Sequence, residues 1–168
     1  MLRKNPLVSV IILTFNGKDM TIRLLESMKH TIFKDYETVL VDNASTDGCI
    51  EYVRKKFPNV RTIRNTKNLG YAGGMNVGIK SAKGKYLVLM NNDMTVYPEC
   101  LTELVKVAES DKSIGIVGGA LSSNSIDFIR LGYVENSGLL LQLRPVDIKK
   151  NDVTSLPQYI EVDNTVGL

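Results

Sequence analysis

The sequence predicts an α/β fold with a mainly parallel central sheet. Two observations carry this. Apolar, β-rich runs alternate with helix-like segments from Leu7 to Gly119, the order expected of strand–helix–strand crossovers. Three of these runs stop abruptly at polar clusters, Thr14-Phe15-Asn16, Asp42-Asn43 and Asn91-Asn92-Asp93. In open α/β sheets the carboxyl ends of parallel strands share one edge, where ligands bind.

The elements follow in order. Leu7 to Phe15, LVSVIILTF, is an apolar strand. Lys18 to Thr31 approximates helical spacing through Met20, Ile22, Leu24, Leu25 and Met28. Tyr36 to Val41 is a second strand, and Ser45 is the expected N-cap of a helix that runs through Phe57 and stops at Pro58. Asn59 to Arg64 is a short third strand. Asn65 to Gly78, NTKNLGYAGGMNVG, leads into a helix ending near Ala82. The turn Lys83-Gly84-Lys85 enters Tyr86 to Met90, an apolar run expected to be buried on both faces. Pro98 opens a helix to about Ser110. Ile114 to Gly119 is expected to be a further strand. Phe128 to Leu143 reads as a hairpin or irregular strands divided at Glu135-Asn136-Ser137-Gly138, Arg144 to Pro157 as a mobile surface loop, and Tyr159 to Leu168 as a strand.

The composition excludes several functions. With 168 residues, 43% hydrophobic and 23% charged, the chain suits one domain with a real core. The net charge is +3, and its Lys and Arg residues form no basic stripe, so no nucleic-acid partner is expected. Arg54-Lys55-Lys56 and Lys149-Lys150 read as solvated surface. Cys49 and Cys100 lack a CxxC spacing and read as buried thiols in a reducing compartment, without zinc. His30 is the sole histidine, which removes histidine-based triads. No apolar run approaches the roughly 20 residues that span a bilayer, and MLRKNPLVSV lacks a signal-peptide core. A cytoplasmic location is expected.

The polar clusters suggest chemistry by residue type. Asp42 is an acceptor that suits an N–H donor such as N3 of uracil or thymine. Asn91 suits ribose hydroxyls. Asp93 is a hard-oxygen ligand, and Mg²⁺ or Mn²⁺ is commonly held by one or two carboxylates with phosphates and waters. Such a metal would neutralise charge on a leaving diphosphate. Each cluster also has a local explanation. Thr14 and Asn16 could cap the following helix, and Asp42 could accept backbone N–H bonds in its turn. The glycines around Gly73 and Gly74 allow either close approach to a ligand or tight helix–strand packing. Their spacing fits neither G-x-G-x-x-G nor a P-loop, and no G-x-S-x-G elbow is present.

The blocks VSVIILTFNG, VLVDNASTDG, NLGYAGGMNVGI and YLVLMNNDM, in this order and spacing, resemble those of family 2 glycosyltransferases. The resemblance covers Leu7 to Val96 and continues more weakly to Leu168. It is nearest to cell-surface polysaccharide enzymes, including the rhamnosyltransferase-like branch. It implies a three-layer Rossmann-like GT-A fold with residues 1–119 as the donor-binding half, 120–168 as the start of the acceptor side, and a C-terminally incomplete domain. It implies that Thr14, Asn16 and Asp42 contact the base and ribose of a UDP- or dTDP-sugar, that Asn68 lies beside the nucleotide, and that Gly73 and Gly74 line the donor side. Asn91-Asn92-Asp93 stands where the family has its DxD-type motif, with Asp93 as ligand to Mg²⁺ or Mn²⁺. The implied acceptor is a saccharide or a lipid-linked sugar, the latter at the inner face of a membrane.

Two departures stand out. Asn91 replaces the first Asp of the motif, which removes one charge; the rhamnosyltransferase-like branch shares this change. Family members invert configuration with an Asp or Glu as general base, in an acidic pair well after the motif. Val162 to Leu168 resembles the lead-in to that pair, so the base is expected beyond Leu168, and Asp152, Glu161 and Asp163 do not match it. Two competing functions remain: a non-catalytic nucleotide-sugar-binding domain, and a sugar-phosphate nucleotidyltransferase, for which TFNGKDM is a poor Gly-rich loop.

Overall fold

A computed structural model describes residues 5–112, 114–122, 128–136 and 141–149. The chain separates into two compact units, Met1–Leu101 and Thr102–Leu168.

The first unit is built on a parallel sheet of four strands, β1 (Val8–Thr14), β2 (Tyr36–Asp42), β3 (Val60–Arg64) and β4 (Tyr86–Asn91), in the order β3-β2-β1-β4. The register pairs Thr14 with Asp42, Asp42 with Arg64, and Leu13 with Asn91. The three polar strand ends therefore share one edge. Helices α1 (Lys18–Met28), α2 (Cys49–Lys56) and α3 (Gly70–Ser81) make the crossovers. Thr21 of α1 bonds Thr14, and α1 packs on α2, so these two helices cover the face presented by Val10, Ile12 and Thr14. α3 lies against Ile11, Leu13 and Val41 on the other face. The result is three layers, as the sequence predicts.

The buried stripe of α1 is Thr21, Leu24, Leu25 and Met28, a clean i, i+3, i+4, i+7 set; Met20 is exposed. α2 corrects one expectation. Its N-cap is Gly48 at φ 72°, not Ser45. Ser45 Oγ instead accepts from Asn16 N at 2.9 Å, while Asp47 Oδ1 takes Cys49 N at 3.0 Å. Arg54, Lys55 and Lys56 sit exposed in the last turn, where cations suit the helix dipole. Cys49 and Cys100 each begin a helix as free thiols, Cys49 buried, and burial pushes both thiols up.

β4 corrects another. Among the described residues it is an edge strand, with Leu87 at 44% and Leu89 at 48% exposure, rather than buried on both faces. The reason is coverage: α3 packs on β1 and β2, and among the described residues no helix covers that face of β4. At the amino ends of the strands, buried Ser9 donates to Glu37 Oε1 at 2.7 Å and accepts from Gly84 N at 2.8 Å. Lys83 N and Arg61 Nη2 also bond Glu37, at 2.8 and 3.2 Å. This network fixes the α3–β4 turn.

In the second unit, β5 (Ala120–Ser122), β6 (Phe128–Asn136) and β7 (Leu141–Lys149) form an antiparallel sheet in that order. α4 spans Cys100–Ser110. Residues 114–119 are irregular, not the expected strand; three of the six are glycines, which weaken strand pairing, and Ile116 is exposed. Arg144 to Lys149, expected in a loop, belong to β7 and pair with β6. The rest of that loop and the expected strand from Tyr159 lie outside the described residues. Among the described residues no helix is long and apolar enough to cross a membrane.

Candidate functional site

The carboxyl edge of the parallel sheet holds a cavity of about 360 Å³. Leu13, Phe15 and Tyr71 provide its apolar border; Asn43, Asn68, Asn91, Asn92 and Asp93 provide its polar one. Of the residues expected from sequence, Asn68, Asn91, Asn92 and Asp93 are thus brought together. Thr14, Asn16, Asp42, Gly73 and Gly74 do not border the cavity. Strand alternation explains the first exclusion, since Leu13 and Phe15 face the α3 side and Thr14 the opposite one. A larger hollow, about 540 Å³, lies at the opposite pole near Asp35, Lys83 and Lys85, away from the polar strand ends.

The residues outside the lining brace the site. Thr14 is buried, and its Oγ1 accepts from Thr21 Oγ1 at 2.9 Å. Asn16 sits at φ 49°, and its Oδ1 accepts from Thr46 N at 2.9 Å. Together with the Ser45 bond to Asn16 N, and Lys18 N donating to Asp47 Oδ2 at 2.9 Å, this clamps the loop after β1 to the loop after β2. Ala44 between them is held at φ 68°, a conformation costing a side chain roughly 1 kcal/mol or more. Gly74 packs closely on β1: a Cβ there would overlap the end of the Leu13 side chain at Cδ1 and lie 3.3 Å from Asn43 Nδ2. A Cβ on Gly73 would lie 2.9 Å from Leu69 Cβ.

Asp42 is fully buried. Its Oδ1 accepts from Ser45 N at 3.0 Å, as an Asx turn requires. Its Oδ2 lies 3.3 Å from Arg64 Nε as an ion pair, but accepts no hydrogen bond among the described residues. A buried acceptor in that condition is costly unless something completes it. Arg64 also donates to Ser45 O and to Glu51 Oε1, both at 2.7 Å, so it spans the loop after β2 and the first turn of α2.

Asn43 is 2% exposed and uses both ends of its amide. Oδ1 accepts from Asn65 Nδ2 at 3.0 Å and Leu69 N at 3.1 Å. Nδ2 donates to Asn68 Oδ1 at 2.7 Å and Gly70 O at 3.1 Å. The amide orientation is forced, because Leu69 N can only donate and Gly70 O can only accept. Asn68 Oδ1 also accepts from Gly70 N at 2.8 Å, so the amide of this lining residue keeps Nδ2 as its donor. Sequence gives Asn43 no role beyond its place next to Asp42, and gives Arg64 none. The available signal is positional: Arg64 ends the strand that pairs with Asp42 in register.

Asp93 stands exposed on the lip of the cavity beside Asn91. Among the described residues no three His, Cys, Asp or Glu side chains gather as a metal cage. The donor set here is one carboxylate with neighbouring amides. It fits Mg²⁺ or Mn²⁺ in the manner where phosphates and waters supply the remaining oxygens.

Three of the known proteins that resemble the chain illustrate the likeness. ExoO of Rhizobium meliloti, a succinoglycan biosynthesis protein, is 26% identical across 94% of this chain and 43% of its own length. WfaP of Escherichia coli, a UDP-Glc:alpha-D-GlcNAc-diphosphoundecaprenol beta-1,3-glucosyltransferase, is 34% identical over 52% of this chain and 35% of its own length. The mannosyltransferase PcManGT of Pyrobaculum calidifontis, solved with GDP-Man and Mn²⁺, superposes with a TM-score of 0.61 at 26% identity, covering 74% of this chain and 37% of that one. The chain thus spans less than half the length of these relatives. The model of the family described as glycosyl transferase family 2 matches residues 9–151. With the GT-A architecture of its structural neighbours, that match shows that the chain belongs to glycosyltransferase family 2.

Proposed function

We propose that this chain is the donor-binding part of an inverting glycosyltransferase that takes a UDP- or dTDP-sugar. It would pass the sugar to a saccharide or lipid-linked acceptor in cell-surface polysaccharide synthesis. The observation that carries this is the cavity at the carboxyl edge, where Asn68, Asn91 and Asp93 converge in a chain of this family. The relatives add support: one is named for succinoglycan biosynthesis, one for a UDP-sugar and a diphosphoundecaprenol acceptor, and one holds Mn²⁺ with its nucleotide-sugar. A lipid-linked acceptor would bring the protein to the inner face of a membrane.

Each side chain has a task. Asp42 Oδ2, buried behind the cavity border and without a hydrogen bond among the described residues, would accept the N3–H of uracil or thymine on the condition that Arg64, whose side chain is 42% exposed, swings aside and opens it to the cavity. Cytosine presents an acceptor at N3 and is refused. Phe15 and Tyr71, both exposed at the cavity border, offer ring faces to base or sugar. Asn91 bonds ribose hydroxyls. Asp93 would hold Mg²⁺ or Mn²⁺, which would supply charge neutralisation for the departing diphosphate. The acceptor oxygen forms a bond to the anomeric carbon as the bond to the diphosphate breaks, inverting that carbon. No residue of this sequence matches the family's general base for the acceptor proton.

The test is sugar transfer by the full-length protein from radiolabelled UDP-, dTDP- and GDP-sugars to saccharide and lipid-linked acceptors. Transfer from a UDP- or dTDP-sugar with inversion is expected. Transfer only from a GDP-sugar would overturn the base assignment. Binding without transfer would favour a non-catalytic nucleotide-sugar-binding domain.

A further inference from the structure

Asn92 stands between Asn91 and Asp93, yet its amide is engaged inside the protein. Nδ2 lies 3.3 Å from each of three oxygens: Thr14 Oγ1 at the end of β1, and Gly17 O and Thr21 Oγ1 in the first turn of α1. Gly17 O can only accept, so the atom facing it must be the nitrogen. Two amide hydrogens serve three acceptors, so the bonds are shared and individually long. The fit is nevertheless close: a Cβ on Gly17 would overlap Asn92 Nδ2. Among the described residues β4 is an edge strand and pairs with β1 alone. Its last residue, Asn91, is in register with Leu13, and Asp93 lies two residues beyond. Past the strand, the Asn92 amide ties the residue next to Asp93 to β1 and the first turn of α1, and Val96 N, three residues after Asp93, donates to Ser27 Oγ near the end of α1 at 3.1 Å.

We propose that Asn92 is a positioning residue: it fixes Asp93 for the donor's metal through its bonds to Thr14, Gly17 and Thr21, and does not itself contact the donor. This rests on the reading that Asp93 meets a metal-bound nucleoside diphosphate. The two roles for Asn92 predict opposite signs for Asn92→Asp. As a direct ligand, a second carboxylate beside Asp93 would tighten Mn²⁺ binding. As a positioning group, the same change removes the donor and sets a carboxylate oxygen against Gly17 O, so binding weakens.

The test is calorimetry of UDP, with and without Mn²⁺, on the full-length protein. Asn92→Ala and Asn92→Asp should each lose about tenfold in Mn²⁺-dependent affinity, the usual scale for a group behind a metal ligand. Affinity for UDP without Mn²⁺ should hold, which a generally damaged fold would not allow. Gly17→Ala should cost a similar factor alone and nothing further in the Asn92→Ala background, because both changes break one contact. Asn92→Asp binding Mn²⁺ as well as or better than wild type overturns the inference, as do additive losses in the double variant. Should the Asn92 variants fail to fold, Gly17→Ala decides by itself: unchanged Mn²⁺-dependent affinity overturns the inference. A wild type that shows no Mn²⁺-dependent UDP binding overturns the donor reading along with it.

Discussion

Asn43→Asp changes one atom in a buried, fully bonded side chain. Oδ1 would still accept from Asn65 Nδ2 and Leu69 N. The donors to Asn68 Oδ1 and Gly70 O would be lost, and a carboxylate oxygen would stand where those oxygens are now 2.7 and 3.1 Å from nitrogen. Two lost hydrogen bonds cost about 2 kcal/mol. Holding charge at a position that is 2% exposed, against two acceptors, brings the loss to about 2–4 kcal/mol. That is a large part of a stability of about 5–15 kcal/mol. The environment disfavours the ionised form, so the variant's carboxyl pKa is raised in the folded state. Protonation restores one donor, hence the deficit should shrink as pH falls and grow as pH rises through the folded pKa. Urea denaturation followed by circular dichroism, at neutral and acidic pH, measures both. A variant within about 0.5 kcal/mol of wild type at neutral pH, the range of an ordinary surface change, would refute the reasoning. So would a deficit that grows on acidification.

Gly78→Ala opposes a helix-propensity gain of about 1 kcal/mol to overpacking of about 1–3 kcal/mol. The new Cβ would overlap Ile11 Cγ2 and come within 3.1 Å of Val41 Cγ2, both on fully buried β-branched residues, so a net loss is expected in denaturant titration; a stabilised variant contradicts this. Gly74→Ala should cost less, since it meets the ends of the flexible, half-buried Leu13. Burial alone would raise the Glu37 carboxyl, but bonds from Ser9, Lys83 and Arg61 outweigh it and hold the pKa below its ordinary 4.5. A depressed folded pKa gives stability that is present above the ordinary value and lost as pH falls through the folded one. Glu37→Gln should therefore flatten the acid limb of a melting-temperature profile, and an unchanged limb counts against the network.

Much of this architecture is legible in the residues because local and global signals agree. The runs VSVIILT and YETVLVD have apolar, β-branched middles and become the two central strands, with polar residues near the ends where the chain enters and leaves the sheet. What sequence could not supply was strand order. Tyr86 to Met90 looks buried on both faces by composition, yet among the described residues β4 sits at the sheet edge with Leu87 and Leu89 exposed. Residues 114–119 have strand-like apolar positions, but their glycines leave little side chain to pack. At the site, residue type suggested that polar strand ends face a ligand, and it could not separate lining from bracing. Thr14, Asn16 and Asn92 are occupied by one another's loops through contacts between distant parts of the chain, and only the folded register brings Arg64 beside Asp42.

The central claim is that Asp93 binds the donor diphosphate through a divalent metal at the carboxyl edge. Calorimetric titration of UDP with and without Mn²⁺, on wild type and Asp93→Ala, tests it most directly. The account predicts that Mn²⁺ strengthens UDP binding to wild type and that Asp93→Ala removes this increment while leaving the fold intact. Equal Mn²⁺-dependent binding by the variant would contradict it.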